Sequence, residues 1–188
     1  MTDAASAIVR AYDLDAVDYV VHAPDLPESV RAGVRTLVDV PGPGARVLEI
    51  GSGGGRDAAL MEELGLRVRR TDVTPGFVRL LREQGQVADD LTSADGPYDA
   101  VWASASLLHV ARADLPTVLP TVLARLAAVT RPGGLLRVAV KEGDGDGWST
   151  HGSIRSPRHF TYWRADVSVT RSPGKGSEQW LEVTAVRG

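Results

Sequence analysis

Three features of the 188-residue sequence predict an α/β fold. From residue 46 onward, short β-branched and apolar runs alternate with segments of helical spacing, which is the pattern of a mostly parallel sheet with helices on both faces. A glycine-rich stretch, residues 51–55, directly follows the first of these runs. A turn-rich link separates the last two strand-like segments and predicts a C-terminal antiparallel hairpin. We expect residues 1–188 to form one domain, with residues 1–40 as a helical cap and residues 41–188 as the core.

The first half of the chain should supply the cap and the first strand–helix units. Residues 3–20 and about 26–39 have helical spacing, and Asp25 and Pro27 mark the start of the second helix. Strands are expected at 46–50, 66–72 and 86–88, with helices at 56–64 and from Pro75 to about 83. Thr74 can cap the last of these helices, because its side chain can accept a hydrogen bond from the first turn.

The second half continues the alternation and then breaks it. A strand is expected at 98–103, followed by a helix capped by Asp114 that "RPGG" stops near residue 130, before a strand at 135–140. Residues 142–163 have glycine and proline punctuation without helical periodicity, and are predicted to form a long irregular loop. The final hairpin strands are expected at about 166–171 and 178–186.

The composition of the chain excludes several classes of function. The chain has no cysteine, which excludes disulfides and thiolate chemistry, and a net charge of −3 that argues against a nucleic-acid partner. The acidic N-terminus does not resemble a signal peptide, and no long uncharged apolar run follows. The four histidines lack metal-ligand spacing. We therefore expect a cytoplasmic protein with a small-molecule partner, no metal and no contact with a membrane.

The glycine stretch carries the strongest functional signal. A strand, a glycine turn and a helix N-terminus together expose main-chain N–H groups to a ligand. Arg56 occupies the third glycine position of the dinucleotide pattern G-x-G-x-x-G, whereas Glu49-x-Gly51-x-Gly53-x-Gly55 resembles the first motif of class I S-adenosylmethionine (SAM) dependent methyltransferases. The resemblance runs from about residue 12 to 163 and includes "YDAVWASASLLHV" and "RPGGLLRVAVKEG". It is strongest to small bacterial enzymes of the tellurite-resistance and related small-molecule type.

This resemblance implies a Rossmann-like seven-stranded sheet and transfer of the SAM methyl group to a small-molecule acceptor, leaving S-adenosylhomocysteine. It also implies cofactor contacts at the methionine part, the ribose, the adenine and the sulfonium, in that order along the chain: Glu49, Gly51, Ser52, Gly53 and Gly55; Asp72 and Val73; Asp90 (or Asp89) and Leu91; Ala103 and Ser104. The glycine turn could instead be purely structural, Asp72 could be a helix cap and Asp90 a loop residue.

The residues that would contact the methyl acceptor have weaker sequence signals. His109 follows the fourth strand and is the candidate general base, with a structural role at the start of the next helix as the alternative. Candidate acceptor-binding residues come from the cap and from "SPRHFTYW", where packing is the alternative role: Tyr12, Tyr19, Arg158, His159 and Tyr162. The acceptor atom remains open among oxygen, nitrogen, sulfur and carbon.

Two departures from the family leave alternatives. The place after the fourth strand reads "ASASLLH", without the Asn/Asp-Pro-Pro-aromatic segment of enzymes that methylate nucleic-acid bases. A helix expected after Trp163 is missing, so one flank of the sheet should be thinly covered and could be buried by a partner, for example in a homodimer. A SAM-binding protein without transferase activity, cyclase-like or regulatory, is the second hypothesis. A nicotinamide oxidoreductase is the third, disfavoured by Arg56 and by the terminal hairpin.

Overall fold

The computed structural model describes most of the chain, namely residues 3–86, 88–89, 95–150, 154–165, 169–174 and 177–188. Within those ranges the helices are α1 (Asp3–Leu14), α2 (Ala16–Val21), α3 (Glu28–Asp39), α4 (Arg56–Glu63), α5 (Pro75–Glu83) and α6 (Leu115–Val129). The strands are β1 (Arg46–Ile50), β2 (Arg67–Thr71), β3 (Ala88–Asp89), β4 (Tyr98–Ser104), β5 (Thr130–Lys141), β6 (Asp146–Ser149), β7 (Arg158–Thr161), β8 (Thr170–Pro173) and β9 (Gln179–Val186). Two 3-10 helices, Leu107–His109 and Arg112–Asp114, lie between β4 and α6.

Seven of the described strands form one sheet in the order β3-β2-β1-β4-β5-β9-β8. The pairs from β3 to β5 are parallel, and β9 runs antiparallel to both β5 and β8. This confirms the predicted mostly parallel seven-stranded sheet with a C-terminal antiparallel hairpin. The strand order reverses between β1 and β4, and in open α/β sheets ligands bind in the crevice at the carboxyl ends of the strands at such a point.

Both faces of the sheet centre are buried. Val47 and Leu48 are adjacent in β1 and both are 0% exposed, yet Val47 packs with residues of α3 and α4 whereas Leu48 packs with Leu126 of α6. Consecutive strand residues point to opposite faces, so a strand covered on both sides must be apolar at nearly every position. Glu49 breaks this pattern at the carboxyl end of β1, where it is 2% exposed.

Several element ends differ from the sequence expectation. The expected helix over residues 3–20 is two helices, because α1 ends at Leu14 and α2 begins at Ala16. Thr74 and Asp114 occupy the N-cap positions of α5 and α6, but neither side chain makes a capping hydrogen bond. The "RPGG" segment lies inside β5 as a bulge, since Tyr98 pairs with Thr130 while Ala100, two residues on, pairs with Leu135. Neighbouring strands therefore keep their pairing across a segment that local turn signals had assigned to an end.

The expected long loop after Lys141 was wrong in part, because β6 and β7 form a separate antiparallel pair. Phe160 in β7 is buried with Leu108, Val140 and Leu181, so tertiary packing supports a ribbon that the glycine and proline punctuation concealed. In the described part of the segment, residues 142–150 and 154–165, there is no helix. The flank beyond it exposes Val183 (40%), and α6 exposes Leu123 (41%).

Candidate active site

The glycine turn between β1 and α4 has a conformation that requires glycine. Gly51 has φ +75° and Gly55, the N-cap residue of α4, has φ +77°, a region that L-residues other than glycine seldom occupy. A Cβ atom on Gly51 would lie 2.6 Å from Cβ of Ser106, and one on Gly55 would lie 2.7 Å from Cδ2 of Leu81. The turn is therefore held against the segment that follows β4, independently of any ligand.

Two buried carboxyl groups lie beside this turn. Burial, followed by the negative charge of Asp57, raises the pKa of Glu49 to about 8. Burial also raises the pKa of Asp57, which lies in the first turn of α4 and accepts a 2.9 Å hydrogen bond from Nε1 of Trp102. Oε2 of Glu49 and Oγ of Ser106 are buried and have no hydrogen-bond partner among the described residues. Buried polar atoms are normally paired, so these two atoms point to a polar ligand.

Asp72, directly after β2, is hydrogen-bonded to the glycine turn. Its Oδ2 accepts a 2.8 Å hydrogen bond from the Gly53 N–H, and its Oδ1 accepts one of 2.8 Å from the Thr74 N–H. Burial raises the pKa of Asp72, and these main-chain hydrogen bonds oppose the rise. Asp72 and Val73 line a shallow groove together with side chains of α5.

A cavity of about 410 Å³ opens above the glycine turn and brings together most of the predicted site. Predicted residues in its wall are Glu49, Gly51, Ser52, Gly53, Ser104, His109, Tyr12, Tyr19 and Arg158. Predicted residues that do not line it are Gly55, Ala103, His159 and Tyr162, together with Asp72 and Val73, which line the groove instead. Asp90 and Leu91, expected at the adenine, lie outside the described residues.

Aromatic side chains from the cap cover the cavity. The rings of Tyr12 and Tyr19 are 5.7 Å apart, and Tyr19 lies 3.5 Å from the position that a Cβ atom on Gly53 would take. The Tyr12 hydroxyl lies 2.9 Å from Nε2 of His109, whose Nδ1 lies 2.8 Å from the carbonyl oxygen of His159. Burial lowers the pKa of His109 to about 4, so the imidazole is neutral near pH 7.

The wall formed by β5 and β9 is charged but internally paired. Arg137 pairs with Glu182, and Nζ of Lys141 lies 2.6 Å from Oε1 of Glu178. The Lys141 ammonium also lies 4.7 Å from the ring centre of Phe160, a cation–π arrangement. This side of the cavity thus offers polar groups and an aromatic face beyond the glycine turn.

Sequence reasoning missed part of the wall, namely Gly54, Arg56, Asp57, Trp102, Arg137 and Lys141. Asp57 carried a usable signal, because it lies in the first turn of the helix that begins at the glycine turn. The strand residues carried none, because local sequence does not say which face of a doubly covered strand borders a cavity.

Ala105, directly after β4, lines the cavity with φ +55°, the one non-glycine residue of the described chain with positive φ. It lies in the segment 103–106 that was expected to pass beneath the sulfonium. Such strained conformations concentrate at functional sites.

Comparison with known proteins shows what the central part of this chain is similar to. Residues 48–138 match the family described as "Methyltransferase domain". The ubiquinone biosynthesis O-methyltransferase of Xanthomonas campestris pv. campestris (strain B100) is 34% identical over 106 residues, which are 50% of this chain and 42% of that protein. The demethylmenaquinone methyltransferase of Beutenbergia cavernae is 37% identical over 114 residues, 56% of this chain and 45% of that protein. The chain thus matches less than half the length of these curated relatives.

Solved structures agree on the fold over nearly the whole chain. The 1,6-didemethyltoxoflavin-N1-methyltransferase of Burkholderia thailandensis, with bound 1,6-didemethyltoxoflavin and S-adenosylhomocysteine, has a TM-score of 0.67 at 23% identity, covering 97% of this chain and 88% of that one. The magnesium protoporphyrin IX methyltransferase of Synechocystis PCC 6803, with bound SAM, has a TM-score of 0.69 at 16% identity, covering 100% and 99%. At these identities the likeness shows the fold, and this chain has the Rossmann-like methyltransferase fold of these structures.

Proposed function

We propose that this protein transfers the methyl group of SAM to a small-molecule acceptor. The observation that carries the proposal is the buried Glu49 carboxyl, whose Oε2 has no partner among the described residues and which lies at the glycine turn in the cavity wall. When bound, SAM supplies an electrophilic methyl group, so that the acceptor forms the new bond to carbon while the carbon–sulfur bond breaks.

The residues present fit this cofactor. SAM carries an ammonium group, and a buried carboxylate is stabilised by a cation close by. Glu49 would bind that ammonium, and the main chain of Gly51 to Gly53 would lie against the methionine part. The groove at Asp72 and Val73 would receive the ribose and adenine. The Asp72 carboxylate accepts main-chain hydrogen bonds from Gly53 and Thr74, and a carboxylate has about four lone-pair sites, so it can accept further hydrogen bonds from a ligand.

The acceptor would occupy the part of the cavity between the cap and the paired charges of β5 and β9. Support for a small molecule comes from the enclosing cap and from the Burkholderia relative, which was crystallised with 1,6-didemethyltoxoflavin. On this proposal residues 1–40 act as the cover of a single catalytic unit. A location in the cytoplasm stays a prediction from the cysteine-free composition. Among the described residues, no helix is long and apolar enough to cross a membrane.

Calorimetry with S-adenosylhomocysteine, using NAD as the control ligand, tests the cofactor. We expect heat from the first compound and none from the second. A Glu49→Gln variant should bind S-adenosylhomocysteine more weakly, whereas Glu63→Gln at the exposed end of α4 should not change the affinity. Transfer is then followed with methyl-labelled SAM and a panel of acceptors. Binding without transfer to any acceptor would favour the non-methylating alternative.

We also propose that the thinly covered flank is buried in a homodimer. The supporting observations are the exposed Val183 and Leu123 and the nearly uncharged sequence of α6, in which Arg125 is the one charged residue. Exposed apolar surface favours association. Sedimentation should show a dimer, and Val183→Lys should shift it toward the monomer. A wild-type monomer at high concentration would contradict this proposal.

A further inference from the structure

A hydrogen-bond chain crosses three distant parts of the sequence at the cavity wall. His109 donates from Nδ1 to the carbonyl oxygen of His159 over 2.8 Å, because a carbonyl can only accept. In the neutral imidazole this leaves Nε2 with a lone pair. The Tyr12 hydroxyl, 2.9 Å away, must then be the donor to Nε2. The direction of both hydrogen bonds is thus fixed by the chemistry of the groups.

Because its proton is directed at His109, the Tyr12 oxygen faces its remaining surroundings as an acceptor. Nη1 of Arg158 lies 3.5 Å from that oxygen, and its guanidinium lies 5.6 Å from the ring centre. Tyr12, His109 and Arg158 all line the cavity. A ligand group that meets the Tyr12 oxygen there will therefore be preferred if it carries a proton of its own.

In the absence of a ligand, the protein surroundings keep both Tyr12 and His109 uncharged. Burial disfavours the imidazolium form of His109, the hydrogen bond to the His159 carbonyl opposes this, and the positive charges of Arg158 and Lys141 add to the effect of burial. Burial raises the pKa of Tyr12 to about 12, opposed by Arg158 and supported by the charges of Tyr19 and Asp72. His109 is therefore an unprotonated base over the physiological pH range, and Tyr12 is a neutral phenol.

The pair also lies close to the glycine turn. The Tyr19 ring contacts the space over Gly53 and packs edge-on against Tyr12, so one aromatic ring separates the turn from the hydroxyl. Leu108, next to His109 in the chain, and Ala105, four residues before it, line the same cavity. The hydroxyl thus borders the space in which an acceptor would meet the cofactor.

We propose that Tyr12 and His109 form a proton relay that selects acceptors whose nucleophilic atom is an O–H oxygen or an N–H nitrogen. This inference rests on the proposed methyl transfer. As the acceptor atom gives its electron pair to the methyl carbon, its proton passes to the Tyr12 oxygen, and the proton of Tyr12 passes to Nε2 of His109. The positive charge lost by the cofactor then resides on His109. That imidazolium is disfavoured by its surroundings and returns its proton to water after product release.

The first test needs no acceptor. Nitrogen-15 NMR of the whole protein should show His109 protonated at Nδ1, with its pKa near 4. Tyr12→Phe should change the Nε2 chemical shift of His109 because it removes the donor. His22→Gln is the control. This histidine is exposed and hydrogen-bonds the main chain of Asp18 at the end of α2, so its replacement should leave the His109 signals in place.

The second test uses acceptors in ionised and protonated forms, with methyl-labelled SAM. On phenol-type acceptors that keep their proton at the assay pH, Tyr12→Phe and His109→Gln should lower kcat by about 10²-fold, the low end for loss of a general base. On a nitrophenolate, which is already an anion, the same variants should lose far less. Tyr98→Phe, whose hydroxyl bonds Asp95 at the opposite end of β4, should behave as wild type.

The outcomes separate this inference from the proposed function. If S-adenosylhomocysteine does not bind, the proposed function fails while NMR still reports on the pair. Equal losses on protonated and ionised acceptors would reduce Tyr12 and His109 to a structural role and overturn the relay. Cofactor binding combined with methylation of none of the O–H or N–H acceptors in the panel would overturn it as well. An Nε2-protonated His109 in the wild type would do the same.

Discussion

Replacing Gly51 by alanine should destabilise the protein through two separable effects. The residue has φ +75°, and an alanine held there costs about 1–2 kcal/mol of backbone strain. Its Cβ would also lie 2.6 Å from Cβ of Ser106, and such overpacking typically costs about 1–3 kcal/mol. We expect Gly51→Ala to lower the free energy of unfolding by roughly 2–5 kcal/mol, measured by urea denaturation with a two-state fit.

Gly65→Ala measures the backbone strain without the steric clash. Gly65 has φ +86°, but nothing lies within 4 Å of the added Cβ, so this variant should lose only about 1–2 kcal/mol. Adding Ser106→Gly to Gly51→Ala should recover much of the difference, because it removes the atom that clashes. Equal losses at positions 51 and 65, or no recovery in the double variant, would refute the idea that the post-β4 segment presses on the glycine turn.

Four further results are expected. Glu49 has a folded-state pKa of about 8 against 4.5 when unfolded, so its ionisation favours unfolding across that interval; Glu49→Gln should gain stability relative to the wild type as pH rises from about 4.5 to 8, and a constant difference in urea titrations would contradict this. S-adenosylhomocysteine binding near pH 7 should release a proton from the wild type but not from that variant, as measured by calorimetry in buffers of different ionisation enthalpy. Ala105→Gly should keep or raise the melting temperature because it relieves positive φ, whereas Ala103→Gly, in a fully buried strand position, should lower it; the opposite order would exclude strain at Ala105. Glu182→Ala leaves the Arg137 side chain, which is 11% exposed, without its carboxylate partner and should lose about 3–5 kcal/mol in denaturant titrations, and a loss below 1 kcal/mol would show that water reaches this pair.

Local patterns were sufficient for most of the architecture. The apolar runs at β1 and β4 and the helical spacing of α3 to α5 could be predicted, because the spacing of buried positions follows from the local geometry of strands and helices. The glycine turn was equally predictable, because positive φ and the close approach of neighbouring side chains leave few residues other than glycine possible. The acidic residue before the turn was identified by its resemblance to the first methyltransferase motif, although its unpartnered oxygen was not predicted.

The departures have physical causes as well. The β6–β7 ribbon was concealed because its strands are short and their support, Phe160 against Val140 and Leu181, comes from other elements. The "RPGG" segment carries strong turn signals, yet pairing with β4 draws it into β5. Local preference is worth a few tenths to one kcal/mol per residue and is overridden by packing of this kind.

The sequence alone predicts the α/β fold, the glycine turn and the acid two residues before it, because each is marked by residues a few positions apart. The chemistry above the turn depends on contacts that no local pattern encodes. Tyr12 and His109 are 97 positions apart, and they meet only because α1 packs over the segment after β4. The direction of their hydrogen bond is set by a third segment, because the carbonyl of His159 in β7 accepts the Nδ1 proton of His109 and leaves Tyr12 as the donor.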